Sequence, residues 1–317
     1  GRRGFSNGKY NKTGEEITSI TSSMPACHIN GCLFKDNIEN GVSAAIAYIY
    51  NCKFIGNTNT MVQSYGYQSN IWESTFIGNG TETTKGTNIG LDVFKYDHSS
   101  DSWMFAINPL FTPSLPTGYV NNDARDLSKG KFEIANFGVG IRGVNYSHFA
   151  IYDNANVNLH DCDIGIYTTD HTSGASNPTY IYQKGITISD CNVGIMGQNL
   201  HLSRSYSSAG TKDTLEDKEK ASVIIDNCKV GYQSLASPDE AIAVNSYGYT
   251  NLYGNGTMIV KNCDVGMNIK PGFIDNEVQL FLDSNDVGMI IEKDSSNNNT
   301  VFARLKNNVV LTNNTVT

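Results

Sequence analysis

The feature that most constrains this chain is a short motif that returns at intervals of one coil. Leu159-His160-Asp161-Cys162-Asp163-Ile164-Gly165-Ile166 is followed by related stretches at Ile188 to Ile195, Ile225 to Tyr232 and Val260 to Met267. Each carries Cys at the fourth place and Gly at the seventh. An earlier copy, Ile134 to Ile141, has Phe137 at the Cys place, and later copies from Leu282 and Leu305 have Asn285 and Asn308 there. The successive spacings are 25, 29, 37, 35, 22 and 23 residues. A variant fills the first quarter: Ile29 to Phe34, Ile49 to Phe54 and Ile71 to Phe76, with Cys32, Cys52 and Ser74 spaced by 20 and 22. Self-similarity of this length marks a stacked repeat.

The motif reads as two short strands joined by a tight bend. Cys228, Val230 and Tyr232 alternate with Lys229 and Gly231, the period of a strand with one buried face. Asp226-Asn227 turns the chain, since Asn tolerates left-handed backbone angles. The shortest spacings then correspond to one coil of a parallel β-solenoid, with coils stacked at about 4.8 Å. Equivalent residues form ladders. The expected core ladder is Cys162, Cys191, Cys228 and Cys263 with Val193, Val230 and Val265. Buried Cys behaves as a small hydrophobe, so these thiols read as structural. Cys27 and Cys32 are the pair best placed for a disulfide. No CxxC or HExxH motif is present, so no metal or cofactor is expected.

Composition narrows the class further. The chain of 317 residues has 37 Asn, 30 Gly and 7 Pro, with 17% charged residues. Asn and Gly are poor helix formers, which excludes a helical bundle. No apolar run approaches the roughly 18 residues of a membrane span. Disorder is excluded by 17 Tyr, 13 Phe and regularly placed Ile and Val. A net charge of -8 provides no footprint for nucleic acid.

With the repeat established, the recurring [Ile/Leu/Val]-x-[Asn/Asp]-Cys-x-[Val/Ile]-Gly-[Ile/Met] coil resembles right-handed parallel β-helices of the pectin-lyase-like type. The coil is similar to those of bacteriophage tailspikes and tail fibres, and of right-handed β-helix repeat proteins. The resemblance covers residues 27–80 and 131–317. It implies an all-β, right-handed solenoid with loop insertions on one side, assembled as a homotrimer with other virion tail proteins. It implies attachment of a virion, or an extracellular surface, to a cell-surface polysaccharide. The same coils carry polysaccharide hydrolases, lyases and passive adhesins, so catalysis stays open, and no active-site motif transfers.

The organisation expected from sequence has four parts. Residues 1–26 are a linker or cap, and 27–80 are N-terminal coils. Residues 81–130, with Pro109, Pro113 and Pro116, are an insertion or domain boundary. Residues 131–317 are the main β-helix, part of a longer polypeptide. The excess length of long coils falls at 168–180, 198–220 and 233–256, after the Val-Gly-Ile strand. These inserts hold the candidate ligand residues Tyr180, Tyr206, Tyr247, Tyr249 and Tyr253, whose rings suit sugar faces. They also hold the candidate catalytic residues Asp170, His171, Asp239 and Glu240. Glycoside hydrolysis needs two carboxylates about 5–9.5 Å apart. Asp161 and Asp190, at one bend position in neighbouring coils, read instead as part of a polar bend ladder.

Overall fold

The computed structural model describes residues 3–7, 27–38, 40–44, 47–56, 60–64, 69–80, 88–94, 104–107, 132–144, 148–151, 157–168, 179–182, 185–197, 200–203, 222–234, 249–270, 273–292, 302–305 and 309–316. Within them the chain forms three parallel sheets of ten strands each. The first sheet runs from Arg3–Asn7 and Asn40–Ala44 through Thr60–Ser64, Ile89–Phe94, Val139–Val144, Ile164–Thr168, Val193–Gly197, Val230–Ser234 and Val265–Ile269 to Val287–Ile291. The second contains Cys27–Asn30, Ala47–Tyr50, Asn70–Trp72, Met104–Ile107, His148–Ile151, Thr179–Tyr182, Leu200–Ser203, Tyr249–Tyr253, Phe273–Asn276 and Phe302–Leu305. The third contains Leu33–Lys35, Lys53–Ile55, Thr75–Ile77, Phe132–Ala135, Val157–His160, Ile186–Ser189, Val223–Asp226, Thr257–Lys261, Gln279–Asp283 and Val309–Thr312. Each coil contributes one strand to each sheet in turn, which is a solenoid-like stack of ten coils.

Left-handed residues make the corners. From the third sheet to the first, the chain bends at Asp36, Gly56, Asn136, Asp161, Asp190, Asn227, Asn262, Ser284 and Asn313, with φ between 54° and 67°. Asn, Asp and Gly visit this region at least cost. From the second sheet to the third, coils one to three bend at Gly31, Asn51 and Glu73. The two sequence motifs are therefore two corners of the same coil. The first-quarter variant is the second-to-third corner, and the Cys-Val-Gly motif is the third-to-first corner. Leu305 to Val310 crosses from the second sheet to the third, so it belongs with the first-quarter variant. The true tenth copy of the other corner is Leu311-Thr312-Asn313-Asn314.

In coils four to nine the residue after the third-to-first bend enters the interior. Phe137, Cys162, Cys191, Cys228, Cys263 and Asn285 occupy this place in successive coils, all buried in the described structure. The thiols donate to the carbonyl oxygens two residues back, as Cys191 does to Ser189 at 3.2 Å and Cys263 to Lys261 at 3.2 Å. Asn285 and Asn314 continue the row with amides. Asn285 Oδ1 accepts from the Cys263 N–H at 3.0 Å and its Nδ2 donates to the Val260 carbonyl at 3.1 Å. Asn314 Oδ1 in turn accepts from the Asn285 N–H at 3.0 Å.

The valines depart from the expected core ladder. Val193, Val230 and Val265 stack in register, but each is only partly buried. Strict alternation fails beyond the bend: Gly231 and Tyr232 are both buried, while Val230 faces outward. Glycine occupies the inner place because the next coil leaves no room. A Cβ on Gly194 would stand 2.6 Å from the Gly231 carbonyl oxygen and 2.6 Å from Ile225 Cγ2. The interior is otherwise an aliphatic stack of Ile, Leu and Val, with Phe34, Phe54 and Phe76 stacked at 4.8 and 4.6 Å near the N-terminal end. All seven cysteines are free thiols, Cys27 and Cys32 included.

Strands also lie within two of the expected parts. Arg3–Asn7, inside the expected linker or cap, pairs with Asn40–Ala44. Ile89–Phe94 and Met104–Ile107, inside the expected insertion or boundary, pair on both sides within the first and second sheets. The long connections also use two corners, where one was expected. Residues 95–103, 169–178 and 235–248 join first-sheet strands to second-sheet strands, whereas 108–131 and 204–222 join second-sheet strands to third-sheet strands. Both corners border the second sheet.

Candidate functional site

The outer face of the second sheet is where geometry and the sequence candidates meet. Register places His28, Tyr48, Asn70, Ala106, Ala150, Tyr180, His201 and Tyr253 in one continuous row across eight coils. Ile29, Ile49, Ile71, Ile107, Ile151, Ile181 and Leu202, each one residue later, are buried in the core. Alternation therefore assigns His28, Tyr48 and His201 to the outer face of the sheet, while Asn70 in the same register is buried. His28 and Tyr48 are half-buried, their rings 4.9 Å apart and tilted. Burial holds the His28 and His201 imidazoles below their ordinary pKa and pushes the Tyr48 phenol up. Two residues along, Tyr50 and Trp72 stack at 4.4 Å and 6°. The row of eight contains no Lys, Arg, Asp or Glu.

Tyr180 and Tyr253 lie in this row, and Tyr249 lies on the same sheet beside Phe273. Tyr206, Tyr247, Asp170, His171, Asp239 and Glu240 lie outside the described residues. The structure therefore brings Tyr180 and Tyr253 into one line, with His201 between them in register. Sequence reading missed His28 and Tyr48 as members of this face, and the buried Tyr50 and Trp72 stack beside them. The available signal was that each flanks the inward Ile of the first-quarter motif.

A second group of chemistry-bearing residues runs along the third-to-first corner. Its pairing is structural. Asn227 Nδ2 donates to Asp190 Oδ1 at 2.6 Å, and Asn262 Nδ2 donates to Asp226 Oδ1 at 2.7 Å. Asn192 Nδ2 donates to Asp163 Oδ1 at 2.9 Å, and Lys261 Nζ pairs with Asp226 Oδ2 at 3.0 Å. Asp161 and Asp190 are both bend residues, and each carboxylate is engaged in the corner network. His160 is clamped between Asp161 Oδ2, at 2.7 Å from Nδ1, and Glu133 Oε1, at 3.3 Å from Nε2. Burial opposes its positive charge, but the two carboxylate bonds prevail and raise its pKa. With both ring nitrogens engaged, the imidazole has no free atom to act on a substrate.

Two of the buried thiols, Cys191 and Cys263, are held in the neutral form. Contact with the flanking Cys162 and Cys228 thiols, then burial, pushes the Cys191 thiol up, and Cys263 is raised in the same way by Cys228. Cys228 is lowered, because it accepts from both Cys191 and Cys263. Among the described residues no three His, Cys, Asp or Glu side chains converge on a point that would hold a metal ion. Compared with protein-family models, with curated proteins and with solved structures, the chain matches none.

Proposed function

We propose that the chain is a glycan-recognising β-helix of the pectin-lyase-like kind, wound right-handed and exposed on a virion tail as a homotrimeric spike or fibre. Right-handed winding follows the strong bias of parallel crossovers. The observation that carries the reading is the uncharged, aromatic-bearing row on the outer second sheet, bordered on both sides by long connections. Aromatic rings present an apolar face and a polar edge, which suits stacking on sugar rings while His bonds hydroxyls. Solenoid inserts often rim a binding face. The chain's repeat motif also resembles that of tailspikes.

A panel of host capsular polysaccharides and lipopolysaccharides tests this reading. Saturable binding of at least one glycan supports it, and no binding across the panel overturns it. Measuring reducing ends and unsaturated products in the same incubations separates binding from depolymerisation. Sedimentation equilibrium tests the trimer.

A further inference from the structure

The buried thiol row offers a site of its own, independent of the outer face. Cys162, Cys191, Cys228 and Cys263 occupy one corner place in four successive coils, each at most 3% exposed. Neighbouring members lie one coil apart, tied by backbone bonds from Asn192 N–H to the Cys162 carbonyl at 3.1 Å, Lys229 N–H to Cys191 at 3.0 Å and Asp264 N–H to Cys228 at 3.2 Å. Among the described residues no three donors meet at one point, so the row does not offer the four-ligand tetrahedron of a structural zinc site. It does offer pairs of sulfurs aligned along the stack. Coils repeat at about 4.8 Å, and two metal–thiolate bonds of about 2.3 Å each, end to end, span about 4.6 Å. Soft thiolate donors select soft ions such as Cu(I).

We propose that Cys191 and Cys228, the two thiols with a thiol on either side, form a two-coordinate site for a soft monovalent cation of the Cu(I) or Ag(I) class. Burial dictates its charge balance, because a net charge there is costly. One sulfur binds as thiolate and the other as thiol. The ion adds one positive charge, a single S–H bond breaks, and one proton leaves for each ion bound. The complex is neutral. Asn285 and Asn314 provide the control, since the same corner place accepts an amide in the last two coils.

The test is titration of the folded chain with Ag(I) in chloride-free buffer, in a Cys27→Ser/Cys32→Ser background that removes the thiols nearest the surface. Uptake is read by sulfur-to-metal ultraviolet absorption, native mass spectrometry and proton release. The central swap Cys191→Asn/Cys228→Asn is compared with the outer swap Cys162→Asn/Cys263→Asn. The expected result is a first equivalent bound with one proton released, kept by the outer swap and weakened at least tenfold in the central one. If the central swap does not fold, Cys191→Ala/Cys228→Ala replaces it. Absence of uptake by the folded chain overturns the site, as does uptake that the central swap leaves undiminished.

Discussion

Asp92 and Arg142 stand 50 residues apart in sequence and one coil apart in the stack, joined by two parallel hydrogen bonds of 2.9 Å. The Asp92 side chain is only 2% exposed, although alternation places it on the outer face of the first sheet, while Arg142 is 35% exposed. The bond to Asp92 raises the Arg142 pKa further. Removing one member of a buried pair costs more than replacing both, because the remaining charge stays in a poor solvent. Arg142→Met is expected to destabilise the fold by about 3 kcal/mol, and Asp92→Leu/Arg142→Met by less. Urea unfolding of the two variants checks the order.

The corners make a different demand, on backbone angle. Asn262 has φ of 54°, where most L-residues are strained by about 1–2 kcal/mol and Asn is relieved of it by local side-chain hydrogen bonding. Asn262→Ala is expected to lose that much. Asn262→Gly, free of the Cβ, should stay within about 0.5 kcal/mol of the parent, since the bond lost to Asp226 is on the surface. Asn262→Val should be the worst of the three. Thermal melting of the set gives the ranking.

His160 ties coil four to coil five through Glu133 and Asp161. Its folded pKa lies above the ordinary histidine value of about 6.5. The clamp therefore contributes fully below that value, and the contribution fades as pH rises through the folded pKa. The stability difference between the parent and His160→Gln should be larger at pH 5.5 than at pH 8. In a Glu133→Gln background the difference should shrink. Equal differences at both pH values would remove the clamp from the account.

The corners were legible because left-handed bends demand particular residues. Asn136, Asp161, Asp190, Asn227 and Asn262 announce them one by one. The inner row was partly legible. Cys228 and Tyr232 are inside, but the assumption of strict alternation put Val230 there as well. The chain instead turns Gly231 and Tyr232 both inward. The inserts were placed at one corner because two corners lie between consecutive Cys motifs. Nothing in the sequence says whether residues after Ile195 extend before or after Leu200–Ser203. Pairs such as Asp92 with Arg142 depend on the exact length of each coil, which a repeat with variable spacing does not disclose. The outer row of the second sheet was hidden for the same reason, since its members come into line only when register is known.

The central claim is that this row recognises a glycan, and a binding titration over the row tests it most directly. With a glycan the parent chain binds, Tyr48→Ala/Tyr180→Ala/Tyr253→Ala is expected to lose at least tenfold in affinity. Stacking of each ring is worth about 1 kcal/mol or more. Asp190→Asn, on the third-to-first corner away from the row, is expected to bind as the parent does. Unchanged affinity in the triple variant, with its melting curve intact, would contradict the account.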